Sequence, residues 1–273
     1  MHMHLYLTQK ILAALICLAL GIFFLRKKTV STSGFISLLA ICFTCILLNK
    51  MDFLVILFCM FASSSLLTRY KKEKKKEFEK VVAKSGPRDF IQAIANLGPA
   101  FACMLISHFS GNEMYLTGFM SSVAAANADS WASEIGGLSK KTPVMITNFK
   151  PVEKGISGGV TLLGTLGGFA GSAFIISASW ITFAFSNVHP PGFKVLWISF
   201  AVGIVGFIFD SILGATVQAL YRNKVASQVT EAVGTENQLI KGYKYMNNDV
   251  VNLMTTLFAA ISGALLYLAV NNL

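Results

Sequence analysis

The chain has 273 residues, 54% of them hydrophobic and 13% charged, with a mean hydropathy of +0.63. Soluble domains carry about 25% charged residues, so this composition excludes an ordinary water-soluble fold and identifies an integral membrane protein. The net charge of +10 would suggest nucleic acid in a soluble protein, but no nucleic-acid motif is present and the same excess is what cytoplasmic loops carry.

The first apolar segment covers 5–25 and is followed by Arg26, Lys27 and Lys28 without a small-residue cleavage signal, which predicts a retained span. Further spans are expected at 34–49, 52–68, 90–108, 114–130, 159–185, 195–218 and 249–270. The fold class is therefore all-α: a polytopic helical bundle of about eight transmembrane helices, some short or broken, in a single domain over 1–273. Several spans fall short of the roughly 20 residues a perpendicular helix needs. The second and fifth are the weakest, and a re-entrant segment there stays open. Eight spans put twenty of the 23 basic residues on one side, with loops near 69–89, 131–158 and 219–248, and leave Lys10, Lys50 and Lys194 on the other. By the positive-inside rule both termini lie outside and those loops face the cytoplasm, across what is expected to be the cell membrane.

The cysteines Cys17, Cys42, Cys45, Cys59 and Cys103 all sit in apolar runs and read as small core hydrophobes. His2, His4, His108 and His189 have no metal-ligand spacing. The run from Arg69 to Lys80 reads as a cytoplasmic helix near anionic headgroups, or as a solvated stretch. After it, Gly86 and Pro87 break the helix, and Arg88, Asp89, Gln92 and Asn96 recur at spacings of three and four, on one helical face. Gly98 and Pro99 then predict a broken or kinked helix.

The stretch NADSWASEIGGLSKK, 127–141, interrupts the hydrocarbon most sharply. On a helix, Asn127, Asp129, Ser130, Ser133 and Glu134 fall within an arc of about 160°, opposite Ala128, Trp131 and Ala132. Carboxylates in such a chain are costly unless they bind something. Downstream, Lys150 and Lys154 bracket Pro151, and Gly155, Gly158 and Gly159 lead into a span containing Gly164, Gly167 and Gly168. Glycines at a loop-to-helix junction let backbone amides approach phosphate oxygens, and small residues equally allow close helix packing; both readings stay open. In the seventh span Gly203, Gly206, Asp210, Gly214 and Gln218 form a small-residue stripe with one acid. The eighth opens NNDVVN, where Asn247, Asn248, Asp249 and Asn252 suit either a helix cap or a site.

These motifs converge on one membrane face and suit phosphoryl chemistry. Carboxylates with amide neighbours fit Mg²⁺, which takes one or two carboxylates and completes its shell with water and substrate phosphates. The expected roles are Asp129, Glu134 and Asp249 as metal ligands, with Asp210 a further ligand or helix-bridging acid. Arg88, Lys150 and Lys154, with the backbone of Gly155, Gly158 and Gly159, would hold phosphates. Asn96, Asn127, Ser130, Ser133, Gln218, Asn247, Asn248 and Asn252 would support them, with Trp131 as a lipid or packing anchor. No Walker loop, HExxH or nucleophile elbow is present.

Seven ordered motifs, STSGF (31–35), LLTRYK (66–71), RDFIQAIAN (88–96), NADSWASEIGGLSK (127–140), KPVEKGISGGVTLLGTLGG (150–168), FDSILGATVQ (209–218) and NNDVVN (247–252), resemble those of a known membrane family. It is the one that contains plant phytyl-phosphate kinase and animal transmembrane protein 19. The resemblance implies phosphorylation of a prenyl monophosphate, phytyl or geranylgeranyl in type, to the diphosphate by a nucleoside triphosphate, with CTP the expected donor. Ser130 stands where many relatives are expected to have threonine, which preserves the hydroxyl. The partners implied are the prenyl phosphate and membrane lipids, with no nucleic acid. Two alternatives remain at this stage: a lipid-phosphate nucleotidyltransferase, and a transporter or flippase of an amphipathic phosphate.

Overall fold

A computed structural model describes residues 2–71, 73, 81, 86–186, 190–225 and 228–272, with side chains from Leu7 onwards. Most of the basic run 69–80, together with His189 and the side chains of His2 and His4, lies outside the described residues. Eight helices are described: α1 (His2–Arg26), α2 (Thr32–Leu47), α3 (Met51–Arg69), α4 (Phe90–Ser110), α5 (Glu113–Gly136), α6 (Leu162–Phe185), α7 (Phe193–Thr216) and α8 (Asn248–Asn271). Each matches a span read from the sequence.

Side-chain caps fix most of the helix starts. Ser31, Asn112, Thr161 and Asn247 each accept a backbone N–H from the first turn of α2, α5, α6 and α8. Asp89 does so for α4, in a capping box with Gln92. Each cap satisfies a donor that would otherwise be orphaned at a helix end near the membrane surface.

Six helices are long and apolar enough to cross a membrane; α2 is shorter, and α5 is not among the six. The weakness of α5 has a packing cause. Residues Thr117–Ala128 of α5 are buried, enclosed by α3, α4, α6, α7 and α8, so this helix needs no lipid-soluble surface. Its small residues let neighbours approach to backbone range. A Cβ on Gly206 of α7 would lie 2.5 Å from Ala125 Cβ, and one on Gly171 of α6 would lie 3.0 Å from Ala128 Cα. Phe53, Met104 and Ile175 pack in the core around it with its own Phe119 and Met120.

Pro99 does not break α4, which continues through it to Ser110. Proline lacks the N–H that would bond the Ala95 carbonyl. Thr256 of α8 donates its hydroxyl to that carbonyl at 2.7 Å, so the acceptor freed by the proline is satisfied by a neighbouring helix.

The loops on the basic side carry short strands that the all-α expectation did not include. β1 (Val144–Met145) pairs with β2 (Gly159–Val160), and β3 (Leu220–Asn223), β4 (Val229–Thr230) and β5 (Asn237–Lys241) form an antiparallel sheet in the order β4-β3-β5. The four basic-side connections contact one another: Val30 bridges Arg88, the Glu231 amide bonds the Val81 carbonyl, and Lys241 bonds the Ser157 carbonyl. Lys10, which reaches the Leu47 carbonyl, and Lys194, which reaches Asn271, sit at the other end with Lys50.

Candidate functional site

A cleft of about 350 Å³ opens among the basic-side loops and the ends of α2–α8. It gathers Arg88, Asn96, Asp129, Ser130, Ser133, Glu134, Lys154, Gly155, Gly158, Gly159, Asp210, Asn248 and Asn252 from the residues singled out above. Helical periodicity explains the α5 contribution, since Asp129, Ser130, Ser133 and Glu134 lie on the polar arc just beyond the buried stretch.

Asp129 and Asp210 are in side-chain hydrogen-bond contact across the α5–α7 interface. The Asp210 Oδ2 also accepts from the Thr255 hydroxyl of α8 at 2.9 Å, so this acid ties three helices together. Two carboxylates in contact repel unless a proton or a cation lies between them.

Glu134 faces a different partner set. Its Oε1 accepts from the Thr68 hydroxyl at 2.6 Å, and its charge acts on Arg88. Arg88 donates to Ser65 Oγ at 3.1 Å and lies over the Phe61 ring at 5.3 Å, which fixes the direction of its guanidinium plane. Burial pulls the Arg88 guanidinium below its ordinary value and Glu134 opposes that shift; a guanidinium stays charged all the same.

The glycine loop is built into the wall. Gly155 and Gly158 have positive φ of 93° and 86°, and a Cβ on Gly158 would fall 2.5 Å from Ala215 Cα at the end of α7. Gly159 gives its amide to the Ile156 carbonyl at 3.0 Å, so the phosphate-cradle expectation contracts to the earlier part of the loop. The capped start of α6, with Thr161 and Gly164, borders the same space. Gly164, Gly167 and Gly168 serve packing: a Cβ on Gly164 would meet the Ala132 carbonyl at 2.8 Å, on Gly167 the Trp131 carbonyl at 3.0 Å, and on Gly168 the Phe207 ring at 2.9 Å.

Several expected residues stand elsewhere. The metal grouping of Asp129, Glu134 and Asp249 is not assembled, because Asp249 is buried away from the cleft while Asn248 and Asn252, on the same face of α8, line it. Among the described residues no group of three or more His, Cys, Asp or Glu is arranged to hold a metal. Lys150 is exposed on the β1–β2 turn and does not line the cleft, whereas Lys154 does, donating to the Ser139 carbonyl at 2.8 Å. Asn127 is fully buried and joins helices, giving its amide to Gly171 O at 2.8 Å and accepting from Ser63 at 3.1 Å. Asn247 caps α8, and Gln218 is buried behind the glycine loop, 2.9 Å from Ser157 Oγ. Trp131 stacks on Phe174 with ring centroids 5.2 Å apart and donates to Ser63, a packing role as expected.

The sequence reading missed four residues here. Thr68 and Ser157 stood inside quoted motifs without a role. Glu231 and Lys241 belong to a loop whose composition carries no signal, and only the sheet brings them to the cleft or its wall: Glu231 lines it, and Lys241 donates to the Gly214 carbonyl at 2.7 Å. Burial raises the Glu231 carboxyl to about 7, against the opposing hydrogen bond from Ser157. Burial lowers Lys241, against the opposing charge of Glu231.

The sequence profile of the family described as Integral membrane protein DUF92 matches residues 15–260. Protein PGR of Arabidopsis thaliana is 31% identical over 224 residues, 75% of this chain and 78% of that protein. An uncharacterized membrane protein of Methanocaldococcus jannaschii is 28% identical over 263 residues, 96% of this chain and 95% of its own length. Protein VTE6, chloroplastic, of Arabidopsis thaliana is 29% identical over 199 residues, 72% of this chain and 52% of that protein. No solved structure matches the chain.

Proposed function

This chain belongs to the DUF92 family of integral membrane proteins, and on that premise we propose that it is a kinase acting on an isoprenoid monophosphate at the cytoplasmic membrane face. The observation that carries the reading is the mixed lining of the cleft. Leu38 of α2, Met60 and Phe61 of α3, Leu97 of α4 and Phe207 of α7 give it hydrocarbon surface. Arg88, the Asp129–Asp210 pair and the glycine loop line the same space. Such a space suits a molecule with an apolar chain and a phosphate head.

The donor set fits Mg²⁺ in one particular way. Two acids from different helices, with Asn248 and Asn252 nearby in the cleft lining, match an ion held by two carboxylates and substrate oxygens rather than by a protein cage. Asp129 and Asp210 would hold it, and when bound it supplies charge neutralisation for the transferring phosphoryl group. The rest falls to the protein's own groups. Arg88, oriented by Ser65 and Phe61, directs paired N–H donors at phosphate oxygens. Glu134 supplies the opposite charge that favours the guanidinium's ionised form. An acceptor phosphate oxygen forms the new P–O bond to the γ-phosphorus as the bond to the β–γ bridging oxygen breaks and the nucleoside diphosphate leaves. That oxygen is already ionised, so no side chain need remove a proton from it.

Asp129→Asn is expected to abolish transfer of label from the γ-phosphate of CTP to phytyl or geranylgeranyl phosphate in membranes. Undiminished transfer by a folded variant overturns the assignment. A product carrying a whole nucleotide would replace kinase by nucleotidyltransferase. Uptake into liposomes without nucleotide consumption would replace it by a transporter.

A further inference from the structure

Glu231 lines the cleft together with Asp89, Asp129, Glu134 and Asp210, and it has no part in the scheme above. It is 6% exposed, immediately after β4, and its amide is tied to the Val81 carbonyl at 2.8 Å. Ser157, in the middle of the glycine loop, donates its hydroxyl proton to Glu231 Oε1 and accepts from Gln218 Nε2 at 2.9 Å. Lys241 anchors the same loop through Gly214 O at 2.7 Å and Ser157 O at 3.5 Å. Ser157 and Glu231 both line the cleft.

A hydroxyl has one proton to give. Gln218 approaches Ser157 as a donor, so the Ser157 proton is committed to Glu231 as long as that carboxyl is ionised. A phosphate entering beside Ser157 would then meet a hydroxyl with no proton to offer and a buried negative charge behind it. Protonation of Glu231 reverses the chain: the carboxylic acid donates to Ser157, and the Ser157 proton is released towards the cleft.

Resting on the reading of this cleft as a phosphate site, we propose that Ser157 is a phosphate contact switched by Glu231, which takes up a proton when the phosphate binds. The charged groups acting on Glu231 are Lys241 of β5, which favours its ionised form, and Asp210 of α7, which opposes it. Burial is the largest influence and brings the carboxyl to about 7, where one proton can be exchanged near neutral pH.

The test is binding of inorganic pyrophosphate, with magnesium present, to the full-length protein in detergent. Calorimetry at pH 6 and pH 8, in buffers of different ionisation enthalpy, counts protons taken up. The ligand's own ionisation is common to all variants and cancels in their ratio. Relative to Glu231→Gln, the wild type is expected to lose about tenfold in affinity between pH 6 and pH 8, and to take up about one more proton at pH 8. Ser157→Ala, which leaves Glu231 in place, is expected to bind more weakly at pH 6 and to lose most of that pH dependence. Equal proton uptake and equal pH dependence in wild type and either folded variant overturn the proposal alone. Absence of binding to every form overturns the phosphate-site reading with it.

Discussion

Asp129 and Asp210 show how one contact changes the meaning of a residue. On α5, Asp129 is one of two acids on a polar arc, and on α7, Asp210 is a lone acid among small residues; in contact across the interface they form a pair that asks for a cation or a proton. Glu231 also carries a consequence for stability. Its carboxyl, ordinarily at 4.5, is raised to about 7 by burial, so between these values the folded state keeps a proton that the unfolded chain has released. Stability therefore falls as pH rises through that window, and the full cost, roughly 3 kcal/mol at most, is present above it. Glu231→Gln should raise the melting temperature in detergent at pH 8 and leave it nearly unchanged at pH 5. An equal shift at both values would show that the carboxyl's charge is not the cause.

Among the elements, α5 and α4 depend on their neighbours in opposite ways. α5 is the least lipid-like of the long helices because its surface is other protein, and its alanines, serines and Gly118 replace hydrocarbon bulk with close approach. α4 contains a proline yet stays continuous because α8 supplies the missing donor to Ala95. Thr256→Val keeps the shape and removes that donor, leaving a buried carbonyl unsatisfied at a cost of about 1–3 kcal/mol. A drop in thermal stability of that order is expected, with Thr256→Ser retaining most of it; equal losses in both variants would assign the effect to packing instead. The sequence marked Gly98 and Pro99 as a break or a kink because it shows the lost N–H. The Thr256 hydroxyl that compensates lies 161 residues away, beyond any local pattern.

At the scale of the whole molecule, the four basic-side connections fold against each other and cover one end of the bundle, while Lys10, Lys50 and Lys194 mark the other. In a protein freed of its native cysteines, Lys150→Cys on the β1–β2 turn and Ser110→Cys at the end of α4 should therefore report opposite faces; both positions are exposed. In intact cells a membrane-impermeant maleimide is expected to label the Ser110 position and to reach the Lys150 position only after lysis. The reverse pattern would invert the orientation and move the cleft to the outer face. The sequence alone determined the spans, because hydrocarbon thickness demands long apolar runs, and it determined which ends lie together, because basic residues alternate with those spans. It also picked out Arg88, Asp129, Glu134, Asp210, Asn248 and Gly158 of the cleft lining, since charged groups, amides and glycines are conspicuous in an apolar chain. Only tertiary structure decided which of them meet. Small residues set how closely α5, α6, α7 and α8 approach and how each is rotated, and that rotation pairs Asp129 with Asp210 and turns Asp249 and Asn127 into the core, while Lys150 stands exposed on its loop. Glu231 reaches Ser157 across 74 residues through the pairing of β3 with β4 and β5, a contact fixed by backbone hydrogen bonds that no spacing in the chain encodes.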